Sequence, residues 1–334
     1  MINAIFVHPS LPVGQTGVER TGETGRIRNM QITKKQHYVW RFYLKPWTDS
    51  KETIACCRND KVFRSDLMGV GQENYFYKFV EISDTEAWWI EKIALNGNEP
   101  DLLKEMCINW INTYRAPFQA INALKKIGIS NEEEFDKFIK EGEEKAYCAT
   151  EKIGKPYLEN IYKEDLSFYD NFDDKSRFNI YLCEQFFRTK KRYEAVNSSS
   201  KHGIDTHKLW PVFKHIFATK LAFNITYRTD KKFKLFLLHN KTGINFITGD
   251  QPVINRYATK ELQGKPINNF EFYYPITPKL ALLLTEKNYN NDELYVSDET
   301  IITELNDLIF YNSQEQVYAV TKNELDRYKN LTRN

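Results

Sequence analysis

The densest apolar segment near the start is QHYVWRFYL (36–44), aromatic and β-branched and followed by Pro46. That composition predicts a strand, with residues 53–57 as its partner. Polar and apolar positions then recur at helical spacing. Ser83-Asp-Thr-Glu86 is a capping box opening a helix that Gly97 closes. A second helix covers about 100–115 and should stop before Pro117. Ser130-x-x-Glu133 caps a third, continuing in pieces toward Tyr162; a fourth covers about 174–195, and a fifth starts near Asp205 or Thr206. The pattern then returns to strands. Residues 233–239 and 245–248 flank Asn240-Lys-Thr-Gly243, a compact turn with Gly243 at positive φ. Strands at 270–276 and 280–285, a helix over 297–311, a short strand at 317–320 and a helix from Thr321 complete the chain.

Strands at both ends and helices between them predict an α+β fold: an antiparallel sheet built from N-terminal and C-terminal strands, with a large helical insertion at about 83–220. One domain is expected over 30–334. Residues 1–29, punctuated by Gly14, Gly17, Gly22 and Gly25 with little to bury after Val18, are expected to be a loosely ordered extension. Met30 is the expected native start, which expression from each Met and comparison of solubility would test.

Composition narrows the functional classes. Hydrophobic residues make up 41% of the 334 and aromatics 14%, ample for a core. With 47 Lys+Arg against 45 Asp+Glu, no global field holds the chain on DNA or an acidic membrane, although a local basic patch remains open. The five cysteines form no C-x-x-C pair, which disfavours a zinc knuckle and fits reduced packing cysteines in the cytoplasm. No apolar run reaches the roughly 18 residues of a membrane span, and no signal-peptide pattern opens the chain.

Asp250 follows an apolar run, is preceded by Gly249 and followed by Pro252. A carboxylate on such a turn either serves metal binding or general-base work, or caps the turn by bonding backbone. On the fourth helix Leu182, Gln185, Phe186 and Thr189 share a face, with Arg188 to one side. Gln185 and Arg188 either brace a loop or bind phosphate or carboxylate beside Asp250. On the first predicted strand, alternation puts His37, Arg41, Tyr43 and Lys45 on one face, suited to phosphates or stacked bases. His37 is either a core histidine or a general acid/base. His202 and His207 lack a third ligand at a convincing spacing, and no dinucleotide, P-loop, zincin or nucleophile-elbow motif is present.

Three segments together resemble the bacterial domain-of-unknown-function family DUF4238. They are His37-Tyr38-Val39-Trp40-Arg41-Phe42-Tyr43-Leu44-Lys45, Gln185-Phe-Phe-Arg188-Thr189, and Phe246-Ile-Thr-Gly-Asp250-Gln-Pro252-Val253. Weaker similarities are Tyr274–Pro278 and Asn306. Trp40 stands where the family usually has Pro, and Gly249 and Gln251 where it has Ser and Asn. The resemblance implies a bacterial intracellular protein, with some members in defence or mobile-element settings, and establishes no activity.

Two functional readings follow. In the first, the chain is a nuclease-like or nucleotide-processing hydrolase with Asp250, His37 and Arg188 catalytic, Arg41, Tyr43, Gln185 and Thr189 contacting substrate, and Mg²⁺ or Mn²⁺ as the divalent ion it would use. In the second, the same residues belong to a non-catalytic sensor that binds a ligand or nucleic acid. Convergence of His37, Arg188 and Asp250 on an open cleft would favour the first.

Overall fold

In the computed structural model the described residues are 35–332 apart from 75, 96, 198–204, 229–231, 259–268 and 292. The expectations for residues 1–29 and Met30 fall outside them, as does His202.

The aromatic run at 36–44 is only briefly a strand. β1 (Lys35–His37) pairs antiparallel with β4 (Gln72–Asn74), and the chain then turns into α1 (Arg41–Leu44) and a 3₁₀ turn (Lys45–Trp47). Tyr43 and Leu44, adjacent in sequence, are both buried and Trp47 follows one turn on, so a helical turn buries all three where alternation would expose Leu44. Pro46 sits in the first turn of the 3₁₀ segment, where its missing N–H costs nothing. The predicted one-sided stripe therefore does not form: Tyr43 is buried, whereas Arg41 and Lys45 are exposed.

β2 (Thr53–Arg58) pairs with β3 (Lys61–Asp66) instead of with β1. Their two-residue turn, Asn59-Asp60, takes positive φ at both positions, the conformation that suits a tight hairpin. β11 (Val317–Ala319) lies between β2 and β6 (Thr248–Gly249), giving an antiparallel sheet ordered β3-β2-β11-β6. Strands from the two ends of the sequence thus share one sheet, as the α+β reading requires.

A second sheet runs β10 (Glu293–Val296), β5 (Lys234–Asn240), β9 (Leu280–Thr285), β8 (Glu271–Thr277), β7 (Ile254–Asn255), and only β10–β5 is parallel. β5, β8 and β9 are buried almost continuously, as strands covered on both faces must be. The expected hairpin between 233–239 and 245–248 is absent: β5 pairs with β9 and β10, and Thr248 crosses to the other sheet. Asn240 makes the turn, its side-chain oxygen accepting from the Thr242 N–H (3.0 Å), and Gly243 has no left-handed φ.

The helical region comprises α2 (Asp84–Ala94), α3 (Asp101–Lys126), α4 (Glu132–Tyr162), α5 (Phe172–Phe187), α6 (Lys190–Asn197) and α7 (Thr206–Tyr227). The Ser83–Glu86 capping box forms as read. α3 runs through Pro117 because its stripe Leu103, Cys107, Ile111, Tyr114, Pro117, Ile121 is buried along its length, and that packing outweighs one lost backbone bond. The third helix is capped by Asn131 and not Ser130, the Asn131 side chain accepting from the Glu134 N–H. α7 is buried on most of its circumference and packs on α2, α3, α5 and α6. α8 (Glu299–Asn312) and α9 (Asn323–Asp326) flank β11. No helix among the described residues is long and apolar enough to cross a membrane.

Candidate functional site

The expected fourth helix is two helices, broken where Arg188 and Thr189 turn inward. Arg188 is 2% exposed. Its Nε donates to the Tyr77 hydroxyl (2.9 Å), Nη1 to Glu151 (2.8 Å) and Nη2 to the His37 carbonyl (2.7 Å). The guanidinium also lies over the Tyr147 ring, 4.5 Å from its centroid. Burial works against its charge, but Tyr77 and Glu151 more than offset that and hold its pKa above the usual range. Gln185 is buried; its oxygen meets Arg188 Nη1 at 3.4 Å and its amide nitrogen has no hydrogen-bond partner among the described residues. Thr189 donates to the Gln251 side chain, and Gln251 donates to the carbonyls of Phe186 (3.2 Å) and Val253 (2.7 Å).

Tyr43 makes a similar stitch. Its hydroxyl donates to the Pro275 carbonyl (2.6 Å) and therefore accepts from Thr248 (2.6 Å), while its ring stacks on Tyr274 at 4.8 Å. Asn306 accepts from the Ile247 N–H and donates to the Asn245 carbonyl. The segments that carried the resemblance are therefore bonded to one another: 185–189 to His37 and Gln251, and Tyr43 to Thr248 and Pro275.

Asp250 is 1% exposed and faces a loop, not a cleft. One oxygen accepts from the Gln314 N–H (2.7 Å), the other from Glu315 (2.7 Å) and Gln316 (2.9 Å), and its own N–H donates to the Gln316 carbonyl (2.9 Å). The carboxylate thus organises the segment leading into β11. A carboxylate committed to three donors would have to release them before it could hold a metal or activate water.

His37 and Arg188, by contrast, line a cleft of about 830 Å³ whose walls include α1, the 65–68 turn and α4. Arg41 and Lys45, four residues apart on one face, stand exposed at its rim. Among the described residues neither forms an ion pair, and Arg41 donates to the Met68 sulfur at 2.8 Å. Partly exposed rings of Trp40 and Phe42 lie alongside, their centroids 5.0 Å apart. α4 presents Glu144, Tyr147, Cys148 and Glu151, whose i, i+3, i+4, i+7 spacing places them on one face. Glu52 and Asp66 add negative charge to the lining.

His37 Nε2 sits 3.2 Å from the Leu67 carbonyl, so that nitrogen carries the proton and Nδ1 keeps its lone pair. Burial, then the Arg41 charge, pushes its pKa down to about 4, and the ring is neutral at pH 7. Burial raises the pKa of Glu144, with the Glu141 and Glu151 charges adding to it; a 3.4 Å contact from the Gln36 amide opposes. Burial also raises Glu151, which Arg188 opposes.

Behind the cleft floor lies a second polar cluster. Lys214, Glu143, His215 and Glu184 are each no more than 4% exposed. Lys214 pairs with Glu143 and lies over the Tyr77 and Tyr147 rings at 4.9 and 5.1 Å, and burial lowers its pKa. His215 Nδ1 is 3.0 Å from both Glu184 oxygens and its ring stacks on Trp110 at 4.1 Å. Tyr77 and Tyr147 are thus flanked by two buried cations, Arg188 and Lys214. The sequence signal for this cluster was Lys214-His215 inside the apolar run WPVFKHIFA; for the cleft it was the carboxylate spacing on α4. Neither was part of the sequence reading.

Among the described residues no group of three or more His, Cys, Asp or Glu side chains is placed to hold a metal ion. His207 instead packs on Tyr193, with Nδ1 3.3 Å from its hydroxyl.

A scan against protein-family models matches residues 35–323 to DUF4238, a protein family of unknown function. The chain belongs to the DUF4238 family. No curated protein and no solved structure matches it. The DUF4238 match begins at the first described strand and ends at the first residue of α9, so the β1–β4 pair, the two larger sheets and the cleft fall within it.

Proposed function

We propose that this chain binds a small, nucleotide-class ligand in the α1–α4 cleft, within the cytoplasm. The observation carrying this reading is the pair Arg41 and Lys45: two exposed cations on one face, without carboxylate partners among the described residues, beside the Trp40 and Phe42 rings. Cations one helical turn apart suit a phosphate, and flat rings suit a base. The remaining lining argues against a polymeric nucleic acid. Glu52, Asp66, Glu144 and Glu151 would repel a continuous phosphate backbone, whereas a compact ligand can meet the cations with one end only. The odd, scattered set of five cysteines fits the reducing compartment.

Titration calorimetry of the full chain with mono-, di- and triphosphate nucleosides, alongside single-stranded DNA and RNA, tests the proposal. Saturable nucleotide binding that weakens at least about tenfold in Arg41→Ala/Lys45→Ala supports it, since one charge-assisted bond contributes about 1.5–3 kcal/mol. No binding by any nucleotide, or equal binding by the double variant, overturns it.

A further inference from the structure

We infer that this cleft hydrolyses the N-glycosidic bond of its nucleotide, with Glu144 as the proton donor and Glu151 as the carboxylate that faces the developing ribosyl cation. The inference rests on the nucleotide-binding reading above and adds a reaction to it.

The distribution of charge is the ground for it. The cations that form no ion pair among the described residues, Arg41 and Lys45 with Lys51 nearby in the lining, are exposed at the rim, where a phosphate would be held. Arg188, the cation of the interior, is occupied by Glu151, the His37 carbonyl and Tyr77. A phosphate reacting at the α4 wall would therefore meet carboxylates and a committed guanidinium, the opposite of what phosphoryl transfer needs. A ribosyl centre that becomes positive meets what it needs, because carboxylates stabilise an oxocarbenium-like transition state.

The two carboxylates are also differentiated. Glu151 accepts from Arg188 at 2.8 Å, an ion pair that favours its charged form against the burial that raises its pKa. Among the described residues no cation bonds Glu144; a 3.4 Å amide contact from Gln36 is its hydrogen bond, and burial, with the Glu141 and Glu151 charges adding, favours its protonated form. An ion-paired carboxylate beside one that lacks an ion pair among the described residues is the arrangement that glycoside hydrolysis can divide between a charged partner and an acid. Trp40 and Phe42 offer the leaving base a flat surface, and His37 Nδ1 offers it or the ribose an acceptor.

The step balances with water as the only co-reactant. The C1′–N bond breaks with its electron pair going to the base, which takes the Glu144 proton. Water adds to C1′ and returns a proton to Glu144. The products are the free base and the ribose phosphate, with no change in oxidation state.

The test incubates the full chain, with EDTA present, with nucleotides bearing neutral bases and with a dinucleotide bearing a pyridinium base, and resolves products by chromatography. Expected are the free base with the ribose phosphate from the nucleotides, and the free pyridine base with the remaining nucleoside diphosphate ribose from the dinucleotide. Glu144→Gln should lose about 100-fold or more on neutral bases, the scale of general-acid catalysis. It should lose far less on the pyridinium substrate, whose leaving group departs neutral without a proton. Glu151→Gln should impair both substrates. A purely structural role for Glu144 would lower both alike, and that result overturns its assignment. Nucleotides that bind by calorimetry but release no base, or release inorganic phosphate in its place, overturn the inference and leave the binding reading standing. Absence of nucleotide binding removes both.

Discussion

Replacing Asp250 by Ala should destabilise the protein by about 4 kcal/mol without touching the cleft. The carboxylate accepts three backbone N–H groups, from Gln314, Glu315 and Gln316, at 2.7–2.9 Å. A hydrogen bond to a charged group contributes about 1.5–3 kcal/mol, and a buried donor left without a partner forfeits about 1–3 kcal/mol. Three such bonds to one side chain are not additive, and the partly buried Gln314 and Glu315 donors can recover some loss by binding water. A central figure of about 4 kcal/mol follows, a large share of the roughly 5–15 kcal/mol that folded domains retain. Asp250→Asn should recover only part of it, because an amide offers one acceptor oxygen and turns two N–H donors toward the remaining N–H groups. The segment feeds β11, which joins the β2–β3 hairpin to β6, so the amides of β11 should exchange fastest in the variant. Urea unfolding followed by far-ultraviolet circular dichroism measures the loss. A stability within about 0.5 kcal/mol of the parent at unchanged m-value would refute the structural assignment, since surface substitutions fall in that range.

Two further outcomes are expected. Because the His37 pKa is about 4 when folded against about 6.5 unfolded, the unfolded chain binds more protons between those values and stability falls as pH drops through that window. The full shift corresponds to about 3 kcal/mol, and partial exposure of the ring reduces this to about 1–2 kcal/mol. His37→Gln should flatten the unfolding midpoint between pH 6.5 and 4; an unchanged slope there would sink the argument. Gly154→Ala should be destabilising by about 1–3 kcal/mol in thermal melts even though Ala is about 1 kcal/mol the better helix former, because the added Cβ would overlap the buried Tyr181 ring. A gain in stability would show that the α4–α5 contact yields more readily than its packing implies.

The local grammar of the chain was legible without coordinates. The Ser83–Glu86 capping box, the Asp205 start of α7, the paired strands β8 and β9 and the Asn306-bearing helix follow from signals contained within a few residues, so they survive any tertiary context that leaves those residues exposed or paired. The motif segments and their order were also visible, and with them the family and the sharing of a sheet by the two ends of the chain. What the sequence alone left undetermined depended on partners distant along it. The run at 36–44 has strong strand propensity, yet burial of the adjacent Tyr43 and Leu44 together with Trp47 goes with a helical turn over Arg41–Leu44. Pro117 should end a helix, yet a continuous buried stripe carried α3 through it. Asp250 looks the same in sequence whether it faces substrate or backbone; only the approach of residues 314–316 gave it three donors and withdrew it from the cleft. Conversely, Glu144 and Glu151 read as ordinary charges on a long helix until the fold set Arg188 against Glu151 and the Gln36 amide against Glu144. Short-range hydrogen bonding and periodicity are written into neighbouring residues, whereas the state of a buried polar group is set by whichever distant group arrives to meet it.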